Sequence, residues 1–147
     1  MYQMQIELTI YIIKPEATLF CDNIHFDIES NGLSILKTKT GYLPPHIVEN
    51  LYYNSPLEII EASKYFMCRD VCEVGIVQGL GAIQKLRELC GAFTNPRECN
   101  QQTIRYKYGI HTPVYFSNIL YYRNGFHCPK TIIETKNNSA LLSPFLT

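Results

Sequence analysis

Four residues that could hold a chain of phosphates are spread along the sequence. They are Lys14, Arg87, Thr94 and Arg105. Such a ligand needs positive charge and fixed hydrogen-bond donors at several oxygens, and two arginines with a lysine supply both whatever base is attached. Each of these residues alone would be an ordinary solvated surface group. Together they predict a polyphosphate site, provided that the fold brings them to one place.

Two four-residue segments near the end of the chain offer alternative nucleophiles for such a site. One is Asn118-Ile119-Leu120-Tyr121 and the other is Asn124-Gly125-Phe126-His127. A histidine with its pKa near 6.5 is largely neutral at pH 7 and presents a free ring nitrogen. A tyrosine with its pKa near 10 is phenolate in only about one part in a thousand. A covalent phosphoryl intermediate is therefore feasible on His127 and would fail on Tyr121.

Composition predicts one globular domain, residues 1–147, with 46% hydrophobic residues to form its core. Thirteen basic and thirteen acidic side chains cancel, so we expect no long-range attraction to nucleic acid or to an anionic membrane. The first residues lack the charged and apolar regions of a signal peptide, and the apolar runs are too short to span a bilayer. We therefore expect a cytoplasmic protein with a local anion site.

Six cysteines are scattered without the spacing of a disulfide framework or of a paired metal site. We expect free thiols, most of them small apolar groups in the core, and no protein-bound metal.

The elements that must position these residues alternate in an orderly way. The patterns predict strands at 7–13, 33–43, 73–78 and 114–122, and helices at 20–30, 44–51, from 55 onward, and 82–90. A capping box, Ser55-Pro56-Leu57-Glu58, is expected to begin the third helix. The order predicts an α+β fold: a ferredoxin-like split βαβ with a four-stranded antiparallel sheet and helices packed around it.

Four segments, in order, resemble the signature segments of nucleoside diphosphate kinases. They are Lys14-Pro15-Glu16-Ala17, the run from Ala82 to Gly91, Thr94-Asn95-Pro96 and Thr103-Ile104-Arg105. The resemblance covers about residues 5–142. It implies transfer of the γ-phosphate of a nucleoside triphosphate to a nucleoside diphosphate through a phosphohistidine. It further implies that Mg²⁺ accompanies the nucleotide and that the protein forms a homo-oligomer.

The resemblance also assigns roles to single residues. The phosphate contacts would come from Lys14, Arg87, Thr94, Arg105, Asn124 and Tyr52, with Tyr53 as the alternative to Tyr52. The catalytic histidine would follow an asparagine in an Asn-X-X-His segment. Two departures stand out: Glu16 replaces the usual aspartate, and Phe93 is an extra residue between Gly91 and Thr94. Either Phe93 forms a local bulge, or Arg87 and Thr94 are not both in place.

The Asn-X-X-His segment can be aligned in two ways. A short insertion after Arg105 places Tyr121 at the histidine position. A longer insertion aligns His127 and leaves residues 131–142 as the final helix, at the cost of Gly125 inside a strand. Alternatively, His127 is a loop residue at a hairpin, because Arg123-Asn124-Gly125 is a turn signal. We favour His127 and keep Tyr121 as the competing position.

Three functions follow. The first is an active, divergent kinase with His127 as nucleophile. The second is a pseudokinase that presents Tyr121 and binds nucleotide without turnover. The third is an interaction module in which the fold binds a protein partner, consistent with the eleven tyrosines.

Overall fold

The computed structural model describes residues 4–147, with an antiparallel sheet at its centre. The strands are β1 (Ile6–Ile13), β2 (Ser34–Gly41), β3 (Cys72–Leu80), β4 (Val114–Phe116), β5 (Ile119–Tyr121) and β6 (Phe126–His127). The four-stranded sheet has the order β2-β3-β1-β6, and β4 and β5 form a separate hairpin. This is the ferredoxin-like split βαβ order, so the predicted fold class is confirmed. The signal-peptide prediction drew on Met1-Tyr2-Gln3, which lie outside the described residues.

Helices cover both faces of the sheet. They are α1 (Cys21–Ser30), α2 (Pro45–Leu51), α3 (Leu57–Cys68), α4 (Ala82–Cys90), α5 (Ile104–Tyr108) and α6 (Ile132–Leu146), with 3₁₀ turns at Pro15–Phe20 and Pro96–Glu98. Side chains of β1 alternate between two apolar clusters. Tyr11 and Ile13 pack with α1 and α4, whereas Ile10 and Ile12 pack with α2 and α6. Burial on both faces explains why β1 is a continuous apolar run in the sequence.

The fourth strand of the sheet is not the one that the sequence predicted. The stretch 114–122 folds back on itself as the β4–β5 hairpin, whose turn residues Ser117 and Asn118 have positive φ values of 47° and 71°. The sheet is completed by β6, which pairs with Ile12 and Ile13 of β1. The prediction was wrong because an apolar run indicates a strand but not its partner. Here the run packs against α3 through the stacked rings of Tyr121 and Phe66.

The prediction of a capping box at the start of α3 was also wrong. The helix begins at Leu57, its N-cap is Pro56, and no side chain caps it. A proline at the N-cap cannot accept a bond from the first turn, so Ser55 and Glu58 do not form the reciprocal pair. The helix is nevertheless held in place, because Ile60, Ala62 and Met67 are buried.

Between residues 4 and 147, no helix is long and apolar enough to cross a membrane. The six cysteines are free thiols, as predicted.

Candidate active site

An open cleft of about 830 Å³ lies where α2, α4, α5 and α6 approach the end of β6. Five of the predicted site residues line it: Tyr52, Arg87, Thr94, Arg105 and His127. They come from five separate parts of the chain, and the fold brings them to one place. The cleft therefore has the cationic and hydroxyl lining that a phosphate chain requires.

His127 reaches the cleft because of how the chain enters β6. Gly125 has a φ of 86°, a conformation that favours glycine, and a side chain there would meet Ala17 at 3.1 Å. The Gly125 N–H donates to Glu16 Oε2 at 2.9 Å, and its carbonyl accepts from the Lys14 N–H at 2.8 Å. Gly125, which the sequence analysis counted against the His127 alignment, therefore lies at the turn that leads into β6. The hairpin alternative for His127 is wrong, because His127 pairs with Ile12 in the sheet.

Both ring nitrogens of His127 have a partner. Nε2 lies 2.7 Å from Asn138 Oδ1, and Nδ1 lies 3.4 Å from the Tyr52 hydroxyl. An amide oxygen can only accept, so Nε2 carries the proton and donates it to Asn138. In a neutral ring, Nδ1 then has a free lone pair and accepts from the Tyr52 O–H. Nδ1 is therefore the ring nitrogen that has no proton of its own.

Electrostatics keep His127 neutral. Burial lowers its pKa to about 3. The hydrogen bond to Asn138 opposes this shift. Three nearby cations add to it, namely Lys14, Arg105 and Arg87. The imidazole is therefore uncharged at neutral pH.

Tyr52 remains a phenol, because burial raises its pKa far above the ordinary value although Arg105 lowers it in part. Its ring meets the His127 ring edge to face, with centroids 5.5 Å apart. The ammonium of Lys14 lies 5.8 Å from the centre of the Tyr52 ring. Tyr52 thus contacts both Lys14 and the histidine, and it presents a hydroxyl donor to Nδ1.

Lys14 and Asn124 lie behind the cleft, not among the residues that line it. They are 4% and 3% exposed. Lys14 Nζ donates to Asn124 Oδ1 at 2.8 Å, and Asn124 Nδ2 donates to the Thr94 carbonyl at 3.1 Å. Asn124 therefore joins the end of β1 to the loop that carries Thr94, with Lys14 as a buried positive charge beside the site.

Arg105 follows Thr103, whose side chain caps the N-terminus of α5. Its guanidinium donates to the carbonyls of Phe126, Phe93 and Gly91 at 3.0 to 3.4 Å. These four hydrogen bonds leave at least one of the five N–H groups of an arginine for a ligand. Arg105 therefore fixes the backbone around the cleft while it contributes charge.

Arg87 and Thr94 both line the cleft although Phe93 is an extra residue. The Phe93 side chain is about half exposed, and its carbonyl accepts from Arg105 and from the Cys99 thiol. The extra residue is thus accommodated by turning its ring to solvent. Arg87 makes one long contact with the chain, from Nη2 to the Ala92 carbonyl at 3.4 Å, which leaves most of its donors for a ligand.

Tyr121 lies elsewhere. It is buried against α3, where its ring stacks on Phe66 with centroids 5.1 Å apart. Burial raises its pKa. Tyr121 is not among the residues that line the cleft, whereas His127 is.

A sequence model of the family described as "Nucleoside diphosphate kinase" matches residues 7–142. The chain belongs to this family. The nucleoside diphosphate kinase of Polynucleobacter necessarius is 34% identical over 105 residues, which are 69% of this chain and 74% of that protein. The enzyme of Campylobacter jejuni is 37% identical over 102 residues, 67% of this chain and 74% of that protein.

Solved structures of nucleoside diphosphate kinases have the same fold. The Aquifex aeolicus protein superposes with a TM-score of 0.77 at 20% identity, over 94% of this chain and 95% of that one. A Borrelia burgdorferi protein with bound vanadate and ADP, described as a transition state mimic, has a TM-score of 0.77 at 18% identity. It covers 92% of this chain and 86% of the Borrelia chain.

One departure from the nucleoside diphosphate kinase pattern has a structural role. Glu16, in the place of the usual aspartate, accepts the Gly125 N–H and lies 3.6 Å from the Arg123 guanidinium. The longer carboxylate therefore supports the turn that leads into β6.

Asn138 is the site residue that the sequence analysis missed. It lies on α6, eleven residues after His127, and its side chain is buried. An asparagine in a helix interior is only weak evidence for a site residue, because most such side chains are exposed to solvent. The available clue was its spacing from Leu142, which places Asn138 on the same face of the final helix as an apolar residue.

Carboxylates that could hold a metal are scarce at the cleft. No group of three or more His, Cys, Asp or Glu side chains in residues 4–147 has metal-binding geometry. Glu134 lines the cleft, but its Oε2 accepts the Lys130 N–H at 2.7 Å.

Proposed function

We propose that this protein is an active nucleoside diphosphate kinase that carries the transferred phosphoryl group on His127. Its substrates would be a nucleoside triphosphate as donor and a nucleoside diphosphate as acceptor. The observation that carries the proposal is the placement of His127 in a cleft lined by cations, with Nε2 bonded to the Asn138 amide oxygen so that Nδ1 is left without a proton. This is what a nucleophile for the γ-phosphate requires.

In the first half of the reaction, Nδ1 attacks the γ-phosphorus. The N–P bond forms as the bond from phosphorus to the bridging oxygen breaks, and the diphosphate leaves with the electron pair. The Nε2 proton stays in its hydrogen bond to Asn138 throughout. In the second half, a terminal oxygen of a nucleoside diphosphate attacks the same phosphorus and restores Nδ1.

The surrounding groups would stabilise the charge that develops during transfer. Arg87 and Arg105 contribute guanidinium donors from the cleft wall, and Thr94 contributes a hydroxyl. Lys14 contributes positive charge from its buried position beside Tyr52. Such preorganised charges lower the barrier by matching the transition state more closely than the substrate.

Mg²⁺ would enter with the nucleotide. The cleft supplies cations and hydroxyls, and its carboxylate, Glu134, is bonded to the Lys130 backbone. Mg²⁺ prefers oxygen ligands and is commonly held by substrate phosphates with few protein groups. The ion would offset phosphate charge while Arg87 and Arg105 bind the remaining oxygens.

The test is phosphoenzyme formation with γ-labelled ATP, followed by transfer to a nucleoside diphosphate. The protein should acquire acid-labile, base-stable label and lose it when the diphosphate is added. His127→Ala should abolish labelling, whereas His46→Ala, at an exposed histidine on α2, should not change it. Tyr121→Phe keeps the ring on Phe66 and should label normally.

Labelling that survives His127→Ala would remove the mechanism. Nucleotide binding without labelling of the wild type would instead favour the pseudokinase, and absence of both would favour the interaction module. Circular dichroism of His127→Ala must match the wild type, so that loss of label is not loss of fold.

A further inference from the structure

We propose that Asn138 is a positioning residue that fixes the His127 tautomer with a neutral amide, so that phosphoryl transfer continues undiminished into acidic solution. The inference rests on the proposed function for its kinetic consequence, but its structural part concerns the ring of His127 alone. The reaction would also be possible with a charged partner at Nε2. An amide at this position therefore affects the pH dependence of the reaction separately from the reaction chemistry.

The hydrogen bond defines one tautomer. Asn138 Oδ1 lies 2.7 Å from His127 Nε2, and an amide oxygen has no proton to donate. Nε2 must therefore carry the proton, which leaves Nδ1 as the acceptor for the Tyr52 hydroxyl. Removing the amide oxygen would leave a buried N–H unpaired and would release this preference.

Asn138 is held firmly enough to act in this way. It is 7% exposed and lies on the inner face of α6 with Thr135 and Leu142, which are also buried. Thr131 is the N-cap of this helix, and its side chain accepts the Glu134 N–H at 3.1 Å. The amide oxygen therefore keeps its place without help from a ligand.

No carboxylate touches the ring among the contacts of the described chain. The charged groups around His127 are Lys14 after β1, Glu16 in the 3₁₀ turn that follows, Arg105 on α5, Arg87 on α4, Lys130 just before α6 and Glu134 in its first turn. The neutral titratable neighbours are Tyr52 after α2 and Cys128. Three of these cations oppose a second proton on the ring, and Glu134 is bonded to the Lys130 backbone. A neutral amide offers no charge to compensate them.

The consequence is a nucleophile that does not titrate in the physiological range. A histidine with its ordinary pKa of about 6.5 would be about nine-tenths protonated at pH 5.5 and unable to attack. Burial among cations lowers the His127 pKa to about 3. A carboxylate at the position of Asn138 would stabilise the imidazolium and bring its titration back toward neutral pH.

The experiment compares Asn138→Asp with Asn137→Asp. The first places a carboxylate at the same reach from Nε2. The second adds the same charge at the neighbouring exposed position, which also lines the cleft. The rate of phosphoenzyme formation from ATP is measured from pH 5.5 to pH 8. In parallel, the ¹⁵N shifts of the His127 ring are recorded over the same range.

Between pH 7.5 and pH 5.5, the rate of phosphoenzyme formation should fall by less than about twofold in the wild type and in Asn137→Asp. It should fall by about tenfold in Asn138→Asp. Asn138→Ala should slow the reaction at every pH, without a further loss of rate at acidic pH. The ring of the wild type should show a protonated Nε2 and an unprotonated Nδ1 throughout.

The inference would be overturned by a protonated Nδ1 in the wild type. It would also be overturned if the wild type lost as much rate at acidic pH as Asn138→Asp. If the wild type forms no phosphoenzyme, the proposed function fails, and the ring shifts of the wild type still decide the tautomer and its titration. The same wild-type spectra decide the question if Asn138→Asp does not fold.

Discussion

Arg105 donates two hydrogen bonds to the carbonyl oxygen of Phe126, the residue before His127. Nε lies 3.1 Å and Nη2 lies 3.0 Å from this oxygen. Because β6 is two residues long and pairs with β1 at two positions, this contact is a large part of what fixes its backbone. Arg105 therefore has a structural role at the cleft as well as an electrostatic one.

Arg105→Lys should lower both stability and activity. Lysine keeps the charge but loses the planar fork, so the carbonyls of Phe126, Phe93 and Gly91 lose the hydrogen bonds that Arg105 donates. We expect the free energy of unfolding to fall by about 2–3 kcal/mol, together with the rate of phosphoenzyme formation. Urea denaturation and γ-phosphate labelling measure the two effects.

Arg87→Lys is the matched control, because Arg87 makes a single 3.4 Å contact with the chain. Its free energy of unfolding should change by less than about 0.5 kcal/mol while labelling slows. Equal stability losses in the two variants would contradict the structural role of Arg105.

Gly125→Ala should displace His127. The positive φ of 86° strains any larger residue, and the added carbon would meet Ala17 at 3.1 Å. Gly32→Ala is the control, since Gly32 has a φ of 80° with open space around it. Strain alone should cost about 1–2 kcal/mol in both variants.

The crowding at Gly125 should add to that cost, and the rate of labelling should fall in Gly125→Ala alone. Chemical denaturation and labelling together distinguish the two glycines. A Gly125→Ala protein as active as Gly32→Ala would show that the entry into β6 tolerates a side chain.

Tyr52→Phe tests the hydroxyl beside Nδ1. The variant removes the 3.4 Å contact but keeps the ring that packs against His127 and lies near Lys14. We expect labelling to slow about three- to tenfold, as for the loss of one hydrogen bond. Tyr53→Phe, at an exposed tyrosine that also lines the cleft, should be close to wild type in the same assay. Equal rates in both variants would exclude a role for the Tyr52 hydroxyl.

Asn124→Ala should destabilise the protein by about 2–3 kcal/mol, because it leaves the buried ammonium of Lys14 without its acceptor. Replacing Lys14 by Met in the same protein removes the orphaned charge. The double variant should therefore be more stable than Asn124→Ala alone, although inactive if Lys14 stabilises the transferring phosphate. Urea midpoints of the two proteins provide the comparison, and a double variant that is the less stable of the two would refute the pairing.

The strongest local patterns predicted their elements well. The helix at 82–90 has the bounds that the sequence predicted, because apolar residues recur on one face and Gly91 follows with a φ of 115°. The end of β1 at Lys14 follows from Pro15, which cannot continue a sheet ladder. The order of such elements sufficed for the fold class.

The choice between Tyr121 and His127 needed the tertiary structure. Both segments carry an asparagine followed two residues later by an apolar residue, so their local patterns do not separate them. The decision rests on contacts across long stretches of chain: Tyr121 stacks on Phe66, whereas the segment before His127 bonds to Lys14 and Glu16. The catalytic role of His127 stays a prediction, but its place in the cleft is a property of the fold.

The amino-acid sequence was enough to predict the class of fold, the family and the residue types suited to phosphate. Each of these depends on local periodicity or on short segments in a fixed order. Three features required the folded structure: which strand completes the sheet, that Asn124 bridges Lys14 to the Thr94 loop, and that Asn138 faces Nε2 of His127. Those relationships join residues that are far apart in sequence or on different elements, and packing, not propensity, selects them.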